Sequence, residues 1–288
     1  MNTKHSFWNR LFAALLLAVM LVTQTTTAFA VEDSPEPTEP SMVQAQDSDT
    51  GTEEAGECTD TPEDESPSEG PETALQTASS LEELLQAIEQ AEAGATIGIG
   101  CEIVCPDGTV LGDTYKRVTL RRTAPEGHIS TYSPDGTGNV IIQAIDFDGG
   151  NVEATTPFVQ ASISTAYSEC RFSDCTAGAV EADNGDQNFG YCVFERNTAQ
   201  YGAHIRMNGG SANLFNCVLG RGTATIQGGA IACYTDQKVT LEKCSIWENT
   251  AAQHGGAIWN RGKLTITQST IHNNTANGEP DDIVNEYS

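Results

Sequence analysis

Lysine and arginine are scarce in this sequence. The 288 residues include 14 of them against 40 aspartates and glutamates, which gives a formal net charge of −26 at pH 7. A protein that binds nucleic acid or an anionic lipid surface needs clustered positive charge to neutralise phosphates. The charge balance therefore argues against both of these partner classes.

The sequence also has no apolar run long enough to cross a membrane. The run at residues 11–22 has 12 residues, whereas a membrane-spanning helix needs about 20. It follows Lys4 and Arg10 and precedes Ala28-Phe29-Ala30, a small-residue cleavage pattern. Residues 1–30 therefore predict a secretory signal peptide. We expect a secreted or extracellular protein, associated with the cell surface in one version of this hypothesis, with no membrane span in the mature chain.

Aromatic and basic residues are both missing from residues 31–78. This stretch has fifteen aspartates and glutamates, and it is rich in proline, serine and threonine. Such a composition cannot bury enough apolar surface to offset the entropy lost on ordering. It predicts an acidic disordered linker.

Helical spacing of apolar residues is missing from residues 170–276, where one short phrase is written five times. In each copy the apolar residues lie two positions apart, which is the period of a β-strand and argues against helical repeats. A repeat of 20–50 residues built from short strands predicts coils that stack about 4.8 Å apart, as in a parallel β-helix. The five copies begin at Cys170, Cys192, Cys217, Cys244 and Ser269.

Two recurring phrases carry a family resemblance. Gly-Gly-Ala-Ile occurs at 228–231 and 255–258, and Phe/Ile-x-x-Asn occurs at 194–197, 246–249 and 271–274. Together they resemble the repeats of polymorphic outer-membrane proteins and, more broadly, the right-handed, pectin-lyase-like β-helix superfamily. The resemblance implies an all-β, right-handed, single-stranded parallel β-helix and a surface location.

An amphipathic segment precedes the repeats. Ser80 with Glu83, or Ser79 with Glu82, forms a capping-box pair, and Gly94 is the stop signal. Residues 79–95 therefore predict an N-terminal capping α-helix. Its apolar stripe consists of Leu81, Leu84, Leu85, Ile88 and Ala91.

The β-helix domain is expected to span residues 96–288 in about seven coils, with loops at 121–138 and 183–190. Ile145 lies 25 residues before Cys170, so the repeat extends upstream in a degraded form. No capping segment is recognisable after the last coil. End-to-end self-association through that coil is therefore one expected mode of assembly.

Four of the nine cysteines occupy one repeat position, which predicts a buried ladder rather than a disulfide framework. The spacing of stacked coils leaves oxidation between neighbouring thiols open. Cys101 and Cys105 are the better candidates for a disulfide. The sequence has no ligand spacing that predicts a metal site. The ladder consists of Cys170, Cys192, Cys217 and Cys244.

Three asparagines and one histidine also occupy repeat positions. Asn197, Asn249 and Asn274 share a position and predict a ladder of stacked amides that satisfies turn backbone groups. His204 occupies a position that Ala230 and Ala257 fill in later copies, which favours a packing role over catalysis.

Charged residues recur at outward-facing positions. A surface ladder of ion pairs is the simpler interpretation, and a groove for sugar hydroxyls or carboxylates is the functional one. Carboxylates on neighbouring coils can also reach glycosidase spacing, and Asp with Arg suits a calcium-dependent lyase. The binding candidates are Asp146, Arg171, Asp174, Arg196, Arg221 and Glu248.

Two functional hypotheses follow. The first is a non-catalytic, adhesin-like β-helix whose stacked face binds a glycan or a host or neighbouring surface protein, without a cofactor. The alternative is a polysaccharide lyase or glycoside hydrolase that acts on acidic polysaccharide, with calcium as the lyase cofactor. An enzyme is expected to interrupt its coils with cleft-building loops. The copies at 217–276 carry almost no insertions, which favours the first hypothesis.

Overall fold

A computed structural model of the protein describes residues 75–234 and 236–286. The predicted signal peptide and nearly all of the predicted acidic linker lie outside these residues. Residues 75–78, the last residues of the predicted linker, instead include the first strand, which pairs with the second strand of the fold. Within the described ranges, no helix is both long and apolar enough to span a membrane.

The described residues form a parallel β-solenoid. Its two largest sheets have nine and eight strands, which corresponds to about eight turns. Sheet A contains β1 (Gln76–Ala78), β2 (Thr96–Ile99), β5 (Val118–Arg122), β8 (Ile145–Asp148), β11 (Arg171–Ser173), β14 (Val193–Glu195), β18 (Val218–Gly220), β22 (Ser245–Trp247) and β26 (Thr270–His272). Sheet B contains β3 (Glu102–Pro106), β6 (His128–Tyr132), β9 (Val159–Ala161), β12 (Val180–Ala182), β16 (Ile205–Met207), β20 (Ile231–Cys233), β24 (Ile258–Asn260) and β29 (Ile283–Asn285).

The other two sheets are smaller. Sheet C contains β4 (Val110–Leu111), β7 (Asn139–Gln143), β10 (Ser164–Ser168), β13 (Asp186–Gly190), β17 (Ser211–Phe215), β21 (Lys238–Glu242) and β25 (Lys263–Thr267). Sheet D contains β15 (Thr198–Tyr201), β19 (Thr223–Gln227), β23 (Thr250–Ala251), β27 (Thr275–Ala276) and β28 (Glu279–Pro280), of which the last pair is antiparallel. The prediction of a parallel β-helix is confirmed, with about one turn more than expected.

The register of sheet A confirms the alignment of the repeats. Phe147 pairs with Phe172, as the 25-residue spacing predicts. Phe172 pairs with Phe194 across 22 residues, and Leu120 with Phe147 across 27. The three phenylalanine side chains are fully buried, and their rings stack at centroid distances of 4.6 and 4.8 Å. Each coil therefore places its apolar side chain directly on that of the coil before it.

The helix α1 (Leu81–Gln90) packs on the first coil, with Leu84, Ala87 and Ile88 buried in the core. Ser80 is the N-cap and accepts a hydrogen bond from the Glu83 amide, while the Glu83 carboxylate accepts from Ser79. The cap uses the predicted pair Ser80 and Glu83, with Ser79 as a further donor to Glu83. The helix ends four residues before Gly94, and the predicted stripe was wrong at Leu85, which is exposed, and omitted Ala87.

Two stretches expected to be loops contain strands. Strand β6 lies within 121–138 and β13 within 183–190, and both join the ladders of their sheets. Arg122 is itself buried, and its guanidinium donates to the carbonyls of Thr156 and Pro157. The sequence predicted loops in these segments because polar residues such as Thr131 and Gln187 occupy inward positions that apolar residues fill elsewhere.

The predicted cysteine ladder is buried. Each of its thiols donates to a carbonyl on the preceding coil; for example, Cys217 donates to Phe189 and Cys244 to Leu214, both at 3.4 Å. All eight cysteines in the described ranges are free thiols, so the predicted Cys101–Cys105 bridge is not formed. Four extended residues separate this pair by about 13 Å, which is well beyond the span of a disulfide.

The predicted asparagine ladder is also buried, and His204 completes it. Asn197 Nδ2 donates to His204 Nδ1 at 3.0 Å, and His204 Nε2 donates to Asn249 Oδ1 at 3.1 Å. The next coil has Gly222 in the asparagine position, and a Cβ there would lie 2.8 Å from His204 Nε2. The imidazole therefore fills the space of the missing amide and keeps the ladder connected.

Beyond His204 the ladder continues through direct amide contacts. Asn249 Nδ2 donates to Asn274 Oδ1 at 2.9 Å, and Asn274 Nδ2 donates to the Asp282 carboxylate at 2.8 Å. Asn197 Oδ1 accepts from the Cys175 backbone N–H, and Asn249 Oδ1 accepts from that of Gly222. Since an unpaired buried polar group costs about 1–3 kcal/mol, the ladder satisfies turn groups that apolar side chains would leave unpaired.

Burial makes the stability of the fold depend on pH through His204. Desolvation lowers the pKa of His204 to about 3, whereas a histidine in the unfolded chain titrates near 6.5. Between these values only the unfolded chain binds the proton, so stability falls as the pH decreases below about 6.5. We expect the free energy of unfolding to drop by about 1.4 kcal/mol from pH 7.5 to pH 5.5 through this residue.

Urea denaturation of wild type, His204→Gln and His254→Gln at both pH values measures this effect. His204→Gln is expected to flatten the dependence, and His254→Gln, at an exposed position, to retain it. An unchanged slope in His204→Gln would contradict the assignment.

Candidate functional site

The predicted outward columns form on sheet A and on the turn that follows it. Asp146 pairs in register with Arg171, and Arg171 with Val193. The second column lies in the short turn directly after each of these strands. Each of its residues has a left-handed backbone. Its members are Asp174, Arg196, Arg221, Glu248 and Asn273, with φ between 52° and 59°.

Four of the six predicted site residues join one network of ion pairs. Arg196 Nε and Nη2 donate to the two Asp174 carboxylate oxygens at 2.9 Å each. Glu195 bridges the two arginines, at 3.0 Å from Arg196 and 3.4 Å from Arg221. Arg221 also pairs with Glu248 at 3.2 Å. The hydrogen bonds to Asp174 raise the pKa of Arg196 above its ordinary value.

The other two predicted residues lie outside this network. Asp146 forms an ion pair with Arg117, which also donates to the Glu169 carbonyl at 2.8 Å. The sequence analysis did not identify Arg117, because it precedes β5 and shares no repeat position with the other arginines. Arg171 is exposed and has no ion pair with any residue in the described ranges.

The ion pairs determine the chemistry of this charged face, which consists of the two outward columns. Each predicted carboxylate contacts an arginine, so the simpler interpretation, an ion-pair ladder, describes the geometry. Among residues 75–234 and 236–286, no group of three or more His, Cys, Asp or Glu side chains could hold a metal ion. The face presents charge-balanced donors and acceptors.

An aromatic side chain interrupts the charges. Trp247 pairs in register with Gly220, and a Cβ on Gly220 would lie 2.9 Å from the indole. The ring therefore lies on the backbone of the preceding coil, and the Arg221 guanidinium stands 4.8 Å from its centroid. Trp247 is partly exposed, so it forms a small aromatic platform within the ion-pair network.

A groove lies beside sheets B and D. It arises from a change in coil length, because four residues separate Thr176 from Val180, whereas seven separate Thr198 from Ile205. The extra residues form β15, which begins sheet D. The longer coil projects past the shorter one, and the step encloses a groove of about 500 Å³. Its lining includes Thr176, Gly178, Glu181, Tyr201 and Arg206.

The sequence analysis missed this groove, although the spacing contained a signal for it. The interval between repeat starts lengthens from 22 to 25 residues at Cys192. That change marks an insertion on one side of the coil. Glu181 and Arg206 share a repeat position in sheet B, but Tyr201 lies in the insertion, so no single column of the alignment identifies the groove.

The stacked parallel sheets define the class of this protein: it is a parallel β-solenoid with one charged face and one lateral groove. The sequence matches the family model described as "Right handed beta helix region" over residues 136–279, half of the chain. The chain therefore belongs to the right-handed β-helix family. Comparison with curated proteins gives no match, and comparison with solved structures gives none.

The ion pairs of the charged face are expected to contribute little to stability. The Arg196 side chain is 47 % exposed, and ion pairs of this kind typically contribute less than about 1 kcal/mol. Arg196→Ala should therefore change the free energy of unfolding by less than about 1 kcal/mol, whereas Phe172→Ala, in the buried stack, should lower it by about 3–5 kcal/mol. Urea denaturation at low and high salt measures both. A loss in Arg196→Ala as large as that in Phe172→Ala would contradict a surface role.

Proposed function

We propose that this protein is a secreted or cell-surface β-helix that binds a glycan on its charged face without catalysing a reaction. The observation that carries the proposal is the Trp247 platform, a partly exposed indole that packs against Gly220 and has the Arg221 guanidinium over its ring. The exposed part of such an indole can pack against the apolar face of a sugar ring. The surrounding charged groups hydrogen-bond to hydroxyls.

The ion pairs support a binding role over an acid–base role. A general acid needs a carboxyl whose proton is held near neutral pH, usually by burial or by a neighbouring negative charge. Asp174 and Glu248 instead have carboxylate oxygens that already contact arginines. Hydrogen bonds already present in the free protein hold these side chains in place, so little entropy is lost when a ligand binds.

The amino-terminal sequence supports the proposed location. The basic residues, apolar run and cleavage pattern of residues 1–30 are typical of a secretory signal. The acidic stretch that follows suits a spacer that holds the β-helix away from a wall or membrane. The acidic character of the chain disfavours nucleic acid as the ligand.

A binding screen of the full chain against a glycan panel tests the proposal, with and without calcium. Trp247→Ala and Arg221→Ala are each expected to weaken glycan binding at least about tenfold, equivalent to about 1.4 kcal/mol. Tyr115→Ala is the control, because Tyr115 is the most exposed aromatic residue in the described ranges, at 87 %. It should bind like the wild type.

The same samples are assayed for release of unsaturated and reducing sugar ends. Binding without product supports the proposal. Product release that depends on calcium would overturn it in favour of a lyase, and Asp146, Arg171 and Asp174 would then be the first residues to replace. Binding that survives both Trp247→Ala and Arg221→Ala would place the ligand elsewhere.

A further inference from the structure

The lateral groove holds an arginine whose position is fixed on three sides. The Arg206 guanidinium lies 5.6 Å from the Tyr201 ring and 5.5 Å from the Tyr234 ring. Its Nη1 atom stands 3.5 Å from the Glu181 carboxylate. Tyr234 packs edge-on against the buried Trp259, at 5.2 Å between centroids. The aromatic cluster therefore orients Arg206 before any ligand arrives.

One donor of this arginine is left unused. Arg206 Nε is buried and has no hydrogen-bond partner within the described ranges. The Nε position is closed to solvent, but the Arg206 side chain is 35 % exposed, so its other N–H groups remain available to a ligand hydroxyl.

The acceptor side of the groove is equally well held. Glu181 precedes Arg206 in the outward column of sheet B, and their backbones pair in register. One Glu181 oxygen accepts from Asn208 at 2.6 Å, while the other faces Arg206. Asn208 also donates to Asp183. The groove thus offers one cationic donor and a fixed carboxylate acceptor.

The charge balance selects the class of ligand. Glu181 offsets the charge of Arg206, and Asp183 adds a further negative charge, so a carboxylated ligand gains little here and meets repulsion. Neighbouring hydroxyls of a neutral sugar can accept from Arg206 and donate to Glu181 at once. The partly exposed ring of Tyr201 can pack against the sugar's apolar face. A volume of about 500 Å³ lies within the range of small-molecule sites.

We infer that this groove is a separate binding site for a neutral saccharide, with Tyr201 as the stacking surface and Arg206 and Glu181 as the hydroxyl partners. The inference rests on the proposed function only in the class of ligand. The residues are different, and they belong to different sheets. The groove exists because one coil is longer than the coil before it.

Isothermal titration of the full chain with neutral trisaccharides tests the inference. Cellotriose, mannotriose and chitotriose are the neutral probes, and trigalacturonate is the anionic probe of equal length. At least one neutral probe is expected to bind, and Tyr201→Ala and Glu181→Gln should each weaken it tenfold or more. Tyr201→Phe retains the ring and should retain binding. Tyr191→Ala, at an exposed tyrosine outside the groove, is the matched control.

Two further variants keep the result interpretable. Arg206→Lys retains the charge but loses the planar fork, so it should weaken the neutral probe. Glu181→Gln is nearly isosteric, and it tests the acceptor even if Tyr201→Ala disturbs the aromatic cluster. Thermal unfolding confirms that each variant is folded.

The outcomes separate this inference from the proposed function. Neutral binding that is lost in Tyr201→Ala and kept in Trp247→Ala supports the groove as a second site. Neutral binding that is lost in Trp247→Ala and kept in the groove variants overturns the inference and leaves the proposed function standing. Tighter binding of trigalacturonate through Arg206 overturns the stated ligand class. Failure of every neutral trisaccharide to bind overturns this inference, while the glycan panel decides the proposed function.

Discussion

The fold depends on one constraint: each coil must place its side chains in register on those of the coil before it, about 4.8 Å away. Phe147, Phe172 and Phe194 meet this constraint by stacking their rings. The buried amides meet it with hydrogen bonds between coils. The same register builds the outer surface, because outward residues stack as regularly as inward ones. A charged column and a buried column are therefore two results of one geometric rule.

Features that recur in register from coil to coil could be predicted from the sequence. Features that depart from the repeat were missed. The pairing of Phe172 with Phe147 followed from a spacing of 25 residues. The strands β6 and β13 were missed because their inward positions hold polar residues, including Thr131 and Gln187, which hydrogen-bond within the core. The cysteine bridge was wrong because local spacing alone did not account for the extended strand between the two residues. Periodicity identifies columns, but it cannot show how an unusual residue within a column is satisfied.

The same distinction applies to the candidate site. Asp174, Arg196, Arg221 and Glu248 share a repeat position, so their meeting could be predicted before their contacts were known. Arg206 and Tyr201 come together through an insertion, and each contacts side chains from other columns. The length of that insertion is visible in the sequence, whereas the direction of its side chains depends on packing against Tyr234 and Trp259.

The link between His204 and Gly222 has a consequence for the modularity of the chain. The two residues compensate for each other across neighbouring coils, and both lie within the 25-residue unit 198–222. Removing that unit would delete the imidazole and the glycine together and bring Asn197 next to Asn249, restoring direct amide stacking. A gain or loss of whole coils is therefore compatible with this interior at a point where a change in either residue alone disturbs the buried contacts. At this position, removal of a whole coil perturbs the ladder less than a single substitution.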